Sequence, residues 1–228
     1  MFDITKLPSK TAYLEASPFP HAVIREGFNE EFLFAVEKEV SEIKKWGGES
    51  AHQFAQRKRW CNDRDALGKS TVDLIDFLNG PIFLPALEEL TGIRGLIPDP
   101  YLDGGGVHYI ETGGYLGIHA DFNYHQRLRV HRRINLIIYL NSSWRGDWGG
   151  NLELWDYSSR QLVVEIPPEM NTLVVFSTTD RSLHGHPAPL ACPKGRARSS
   201  IALYYYSAER PPEEMSAPHS TNYYRLSK

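Results

Sequence analysis

Residues 106–121 read GVHYIETGGYLGIHAD, and this stretch determines how the second half of the chain is interpreted. Two short runs with strand character, 106–111 and 116–119, are separated by glycines, and the stretch ends with His119 and Asp121 two residues apart. Alternate residues of a strand point to the same face. The two side chains are therefore expected to point at one place in space, although the pair alone is equally compatible with a polar turn.

The same pattern of short strands continues from residue 98 to about residue 206, with turns rich in Gly, Pro and Asp. Many short strands at this spacing are typical of an all-β sandwich or barrel. The other candidate strands are residues 133–140, 151–155, 161–166, 172–176 and 198–206.

The first third of the chain has helical patterning instead. Asn29 can cap a helix whose first turn carries Glu30 and Glu31. An extended segment is expected before it, at 18–28. Two further helices are expected after it, at 70–78 and 81–92. The sequence predicts an α+β, mainly β, single domain. Its three parts are a helical support region, a β core and an irregular tail, at residues 1–97, 98–208 and 209–228.

Composition argues against several classes of protein. The formal net charge is -3, which does not favour a nucleic-acid or membrane-surface partner. Cys61 and Cys192 are far apart, so neither a disulfide framework nor a CxxC motif is present. The first residues lack a signal-peptide pattern, and no apolar run approaches the roughly 20 residues that span a bilayer. We expect a cytoplasmic protein without a membrane partner.

A further histidine extends the pair of His119 and Asp121. Non-haem Fe(II) sites use two His and one carboxylate on one face of the metal. The segment DRSLHGHP follows an apolar strand and contains His184 and His186. We favour His184, because Gly185 leaves room for close backbone approach, whereas the residue before a proline is conformationally restricted.

Arg198 begins the last candidate strand, on the face opposite Ile201 and Leu203. A partly buried guanidinium needs an anionic partner, and its planar fork suits a carboxylate bound through two nitrogens. That partner is either a bound ligand or a protein carboxylate, such as Glu153 or Asp156.

Together these residues resemble the 2-oxoglutarate- and Fe(II)-dependent oxygenases, specifically their prolyl 4-hydroxylase-like branch. The similarity covers roughly residues 100–207 and depends on the order of its parts. These parts are Tyr109, the HxD of His119 and Asp121, YLN at 139–141, GGNL at 149–152, His184-Gly185 and Arg198. The resemblance implies a double-stranded β-helix, or jelly roll, with supporting N-terminal helices.

The resemblance also implies the roles of single residues. The implied iron ligands are His119, Asp121 and His184. Arg198 is expected to bind the far carboxylate of 2-oxoglutarate, with Tyr109 and Tyr139 as additional contacts. No catalytic residue beyond the metal ligands is implied.

One spacing departs from the family pattern. Many members place the basic residue about nine or ten positions after the distal histidine, whereas Arg198 follows His184 by fourteen. Lys194 and Arg196 lie closer to the usual spacing. We retain Arg198 because of the strand that it begins, with Arg196 as the second choice.

The implied reaction consumes O2 and 2-oxoglutarate, releases succinate and CO2, and hydroxylates an unactivated C–H bond, with ascorbate as an optional reductant. The substrate is either prolyl or peptidyl, or a small molecule such as a free amino acid or natural product. A substrate loop is one interpretation of five residues: Arg127, Arg129, Arg132, Trp144 and Trp148. The alternatives are a solvated hairpin for the arginines and an end seal of the barrel for the tryptophans.

Two other functions fit part of this pattern. A cupin-type jelly-roll metalloenzyme would keep the metal ligands but would not need Arg198. A non-catalytic jelly-roll binding module would need no metal ligands at all. Metal content distinguishes the second alternative from the oxygenase.

Overall fold

The computed structural model describes residues 2–226. Met1, Ser227 and Lys228, at the outer ends of the predicted regions 1–97 and 209–228, lie outside the described residues. The strands are β1 His21–Arg25, β2 Gly48–His52, β3 Ala55–Cys61, β4 Ile97–Pro98, β5 Gly106–Ala120, β6 Tyr124–His125, β7 Val130–Tyr139, β8 Leu152–Trp155, β9 Leu162–Ile166, β10 Thr172–Ser177, β11 Leu183–His186, β12 Ala197–Ser207 and β13 Asn222–Tyr223. The α-helices are α1 Lys10–Leu14, α2 Glu30–Ser41, α3 Lys69–Leu78 and α4 Phe83–Thr91.

All the strand pairs are antiparallel, and the main path runs β1-β10-β7-β12-β5-β11-β8-β9. The long strand β5 joins the two halves of this path. Its first part pairs with β12, and its last part pairs with β11 and β13. The sheet thereby curls into a nearly closed barrel, and the predicted jelly-roll fold is confirmed.

The helices cover one face of the sheet, as predicted. The side chain of Asn29 accepts a hydrogen bond from the Phe32 N–H at 2.9 Å, which caps α2. Val36 and Val40 of α2 are buried in one cluster with Ile138 of β7 and Leu203 of β12. The largest core therefore lies between the helices and the sheet, and leaves the interior of the barrel for other side chains.

Two parts of the chain differ from the predictions. Residues 48–61, within the region expected to be helical, form the hairpin β2–β3, whose second strand extends the sheet beside β5. The tail from residue 209 was expected to be irregular, yet its strand β13 pairs with the end of β5. Both segments are polar and short, and they form strands through pairing: β2 with β3, and β3 and β13 with β5.

Within residues 2–226 no helix combines the length and the apolar character that crossing a membrane requires.

Candidate active site

The end of β5 and the neighbouring strand β11 bring together three metal-ligand side chains. His119 lies directly opposite His184 in the strand register, and Asp121 follows β5. Their potential ligand atoms all lie within 4.8 Å of one another. The Nε2 atoms of His119 and His184 are 3.6 Å and 3.4 Å from the nearest Asp121 carboxylate oxygens. The predicted facial set is therefore present as a geometric unit.

Backbone carbonyl groups orient both imidazoles. Nδ1 of His119 lies 2.8 Å from the Gly117 oxygen, and Nδ1 of His184 lies 2.9 Å from the Ser182 oxygen. A carbonyl only accepts, so each Nδ1 carries the proton and each neutral ring directs the Nε2 lone pair towards Asp121. Two imidazole nitrogens and one carboxylate directed at one point fit Fe(II), with room for further ligands on the cavity side.

Asp121 is held ionised by its neighbours. Burial opposes its ionisation, but Arg132 and the two histidines hold the pKa of this carboxyl well below its usual range. The Nη2 atom of Arg132 lies 3.2 Å from Asp121 Oδ2, which also accepts a hydrogen bond from Asn135 at 2.7 Å. Arg132 in turn donates to Asn135 Oδ1. This network fixes the carboxylate as a charged ligand.

Arg198 is 5% exposed and lies on β12. Its Nε donates to the Gly150 carbonyl at 2.7 Å, and its Nη2 donates to the Tyr139 hydroxyl at 2.9 Å. Among residues 2–226 its recorded polar contacts are these two and include no carboxylate, and Asp156 instead accepts hydrogen bonds from two nearby serine N–H groups. A buried guanidinium without a counter-ion indicates a site for an anionic ligand.

The second-choice arginine has a different environment. Arg196 donates a hydrogen bond to the Ser142 carbonyl and lies over the ring of Trp148 at 5.6 Å. It lines a separate surface depression, whereas Arg198 lines the cavity that contains the metal ligands. The geometry favours Arg198 for the carboxylate of the co-substrate.

Tyr109, the other predicted tyrosine contact of 2-oxoglutarate, does not line this cavity. His108 and Ile110 line the cavity, and Tyr109 between them points to the other face of β5, where its ring packs against Trp46. Tyr109 alternates with its two neighbours, and a register shift in β5 between Leu116 and His119 puts it on the face opposite His119. Tyr139 is not among the residues that line the cavity, but its hydroxyl accepts a hydrogen bond from Arg198, which does line it.

One cavity of about 230 Å³ contains both the metal ligands and Arg198. Sequence reasoning missed several of its lining residues: Lys58, His108, Thr221 and Tyr223. Lys58 comes from the unexpected hairpin, and Thr221 and Tyr223 from the tail. His186 is the one further lining residue that the sequence signalled. It is two residues after the predicted metal ligand His184, and residues two apart on a strand share a face.

The five predicted substrate-loop residues do not act as one group. Arg132 is buried behind Asp121 rather than exposed in a loop, while Arg129 is exposed in the turn before β7 and Arg127 lies over the Tyr101 ring at 3.4 Å. The tryptophans Trp144 and Trp148 pack edge to face against each other and cluster with Ile110, Leu190 and Cys192, outside the cavity lining. Their position agrees with the alternative of an end seal.

Replacing Gly185 with alanine is expected to lower the free energy of unfolding by about 1–3 kcal/mol, as overpacking does. A Cβ at Gly185 would lie 2.7 Å from the Gly117 carbonyl oxygen, which β5 cannot easily move. Urea unfolding of Gly185→Ala tests this. Gly146→Ala is the matched control, because a Cβ there meets nothing within 4 Å. Equal unfolding midpoints for the two variants would contradict the prediction.

The metal-free protein is expected to lose stability as the pH falls from about 6.5 towards 4. Burial and the neighbouring His119 lower the pKa of His184 from 6.5 to about 4, and burial lowers the pKa values of His108 and His186 well below 6.5. In this window the unfolded chain binds protons that the folded chain excludes. Each group then lowers the free energy of unfolding by up to about 1.4 kcal/mol per pH unit. Urea unfolding at pH 7, 6 and 5 measures the free energy of unfolding. A value that stays constant over this range would refute the prediction.

The sequence of the chain is similar to that of known oxygenases. The profile described as "2OG-Fe(II) oxygenase superfamily" matches residues 105–206. The chain is 27% identical over 212 residues to the prolyl 3-hydroxylase OGFOD1 of Mus musculus. That match covers 90% of this chain and 36% of the relative, so the chain spans about a third of the relative's length.

Solved structures share the fold at low identity. A prolyl-4-hydroxylase of Pseudomonas putida superposes with a TM-score of 0.61 at 13% identity, covering 87% of this chain and 98% of that one. HygX of Streptomyces hygroscopicus, with nickel, 2-oxoglutarate and hygromycin B bound, has a TM-score of 0.56 at 11% identity, covering 89% and 92%.

Proposed function

We propose that this chain, which belongs to the 2-oxoglutarate- and Fe(II)-dependent oxygenase superfamily, hydroxylates an unactivated C–H bond while 2-oxoglutarate is converted to succinate and CO2. The observation that carries the proposal is the buried Arg198. It has no counter-ion among the described residues and lines the same cavity as the metal ligands. A cupin-type metalloenzyme or a binding module would have no use for this arrangement.

Each residue of the site has a distinct task in this function. His119, Asp121 and His184 would hold Fe(II), which supplies the oxygen chemistry when bound. Arg198 and the Tyr139 hydroxyl would hold the far carboxylate of 2-oxoglutarate, so that its keto-acid end is directed towards the ligands. The small cavity limits the water around the reacting groups.

A prolyl residue is the substrate that we propose to test first. Support comes from the relatives named as prolyl 3-hydroxylase and prolyl-4-hydroxylase. The cavity also adjoins an outer groove, since Phe122 and Thr221 line both, and the groove continues past Gln126 and Arg127. A groove of this kind accommodates a ligand longer than one residue. The bound antibiotic of HygX keeps a small natural product as the alternative.

An anaerobic titration of the metal-free chain tests the reaction class. Fe(II) is added first and 2-oxoglutarate second, and the visible spectrum is recorded. We expect a weak charge-transfer band that requires both additions. Iron binding without the band would indicate a metalloenzyme that does not use 2-oxoglutarate, and no iron binding would indicate a binding module. Succinate formation with prolyl peptides, free amino acids and natural products then tests the substrate.

A further inference from the structure

Lys58 shares the cavity with the metal ligands and Arg198. It lies on β3 opposite Ile110 of β5, and Ile110 lies opposite Arg198 of β12. All three side chains line the cavity. Neighbouring strands are about 4.8 Å apart, so the backbones of Lys58 and Arg198 are separated by roughly 10 Å across two strand spacings. Two cationic side chains thus enter one cavity from different places on its wall.

The ammonium group of Lys58 is unpaired among the described residues. Within residues 2–226 it makes neither a hydrogen bond nor an ion pair. Burial lowers its pKa to about 8, although nearby Asp121 opposes this shift. Lys58 is partly buried, and an ammonium in such a place is stabilised by an anion or by several acceptors around it. The cavity therefore lacks a group that Lys58 needs.

Other polar atoms in the cavity, donors and acceptors alike, also lack a hydrogen-bond partner. Both ring nitrogens of His186 are buried without a hydrogen-bond partner, and so is Nη1 of Arg132. Asp121 is the only carboxylate among the described residues that line the cavity, and Arg132 and Asn135 already contact it. Lys58, Arg132 and Arg198 thus outnumber the one carboxylate in the described lining, which indicates an anionic ligand.

The co-substrate does not supply this acceptor in the proposed arrangement. Asp121 and the two carboxylates of 2-oxoglutarate do not exceed the positive charge of Fe(II) together with Arg132 and Arg198, two residues of the same cavity. One of those carboxylates is assigned to the metal and the other to Arg198 and Tyr139. The charge of Lys58 remains, with no counter-charge from the metal site or from the co-substrate.

We propose that Lys58 binds a carboxylate of the primary substrate, and that the substrate is therefore an acid. This inference rests on the proposed function, since it takes the site of 2-oxoglutarate as given. His186, on the strand that carries His184, offers a hydrogen bond to the same ligand. The carboxylate belongs either to a small free acid or to an acidic residue of a peptide, and both present the same group to Lys58.

Equilibrium binding to the full chain loaded with Ni(II) and 2-oxoglutarate tests this proposal without turnover. Two probe pairs are compared by calorimetry. The first is N-acetyl-L-proline and its uncharged amide. The second is a peptide with Glu beside a central Pro and its Gln counterpart. We expect the acid of one pair to bind at least about tenfold more tightly than its neutral partner. The pair that shows the preference identifies the source of the carboxylate.

Variants assign the preference to Lys58. Lys58→Gln should reduce it to within about threefold, and Lys58→Arg should retain it. Lys58→Met keeps the alkyl stem and replaces Lys58→Gln if that variant does not fold. Lys44→Gln removes the same charge from an exposed position and should behave like the wild type.

Three results would overturn the proposal. The first is that the acid and the neutral partner of both pairs bind equally well. The second is that the preference for the acid survives Lys58→Gln. The third is that Lys58→Gln instead weakens 2-oxoglutarate binding tenfold, which would assign Lys58 to the co-substrate. Failure of the proposed function is separate from these, because the wild type would then not bind 2-oxoglutarate before any probe is added.

Discussion

Replacing His184 with alanine is expected to abolish Fe(II) binding while the barrel stays folded. The variant loses one of only three protein donors that converge on one point. Loss of groups that merely support a ligand costs about 10- to 100-fold in metal affinity, so loss of the ligand itself should cost more than about 100-fold. Anaerobic calorimetry with Fe(II) measures the affinity, and circular dichroism verifies the fold.

His186→Ala is the matched control for this experiment. His186 lies two residues further along β11, lines the same cavity and is also buried, but it is not one of the three converging donors. Iron affinity should change little. Should His186→Ala lose iron while His184→Ala retains it, the assignment of the distal ligand would be wrong.

Replacing Arg198 with alanine is expected to raise the dissociation constant for 2-oxoglutarate by roughly 30- to 1000-fold, with Fe(II) binding retained. Truncation of one partner of a buried charge pair costs about 2–4 kcal/mol, and each 1.4 kcal/mol is tenfold in affinity. The Tyr139 hydroxyl would remain but cannot replace the charge. The measurement is an anaerobic titration with 2-oxoglutarate at saturating Fe(II), followed by the charge-transfer band.

Arg196→Ala provides the control, because it removes an arginine two positions away that lies outside the cavity. The dissociation constant of Arg196→Ala for 2-oxoglutarate should stay within about threefold of the wild-type value. The opposite pattern, with Arg196→Ala impaired and Arg198→Ala normal, would assign the co-substrate to the second-choice arginine.

The metal ligands and the jelly roll could be predicted because they depend on local rules. An HxD at a strand end directs two side chains to one place by strand alternation alone. Arg198 could be chosen over Arg196, despite the unusual spacing, because Arg198 lies at the start of a recognisable strand. The face rule does not separate the two, since residues two apart share a face, but Arg196 lies just before β12. The same rule gives the wrong face for Tyr109, because alternation counted back from His119 puts it on the cavity side. A register shift in β5 between Leu116 and His119 reverses the faces, and the sequence shows no sign of that shift.

The remaining cavity wall could not be predicted, since it depends on pairing between distant segments. Lys58 lies in a strand of charged residues, AQRKRWC, which has no apolar alternation. Tyr223 belongs to a tail with little strand character. Each reaches the cavity only because β5 offers an edge to pair with. Tertiary context overrides weak local propensity in such segments, and a single sequence does not contain that context.

The pairing of β13 has a consequence for motion at the site. Asn222 and Tyr223 pair with Ala120 and His119, and the ring of Tyr223 stacks on Phe54 at 4.8 Å. Such a short pairing can separate in a local fluctuation, whereas the amide groups of β7, between β10 and β12, exchange with solvent only when the whole barrel opens. We expect hydrogen–deuterium exchange to be fast in β13 and slow in β7. The wall beside His119 would then open and close many times during the lifetime of one folded molecule.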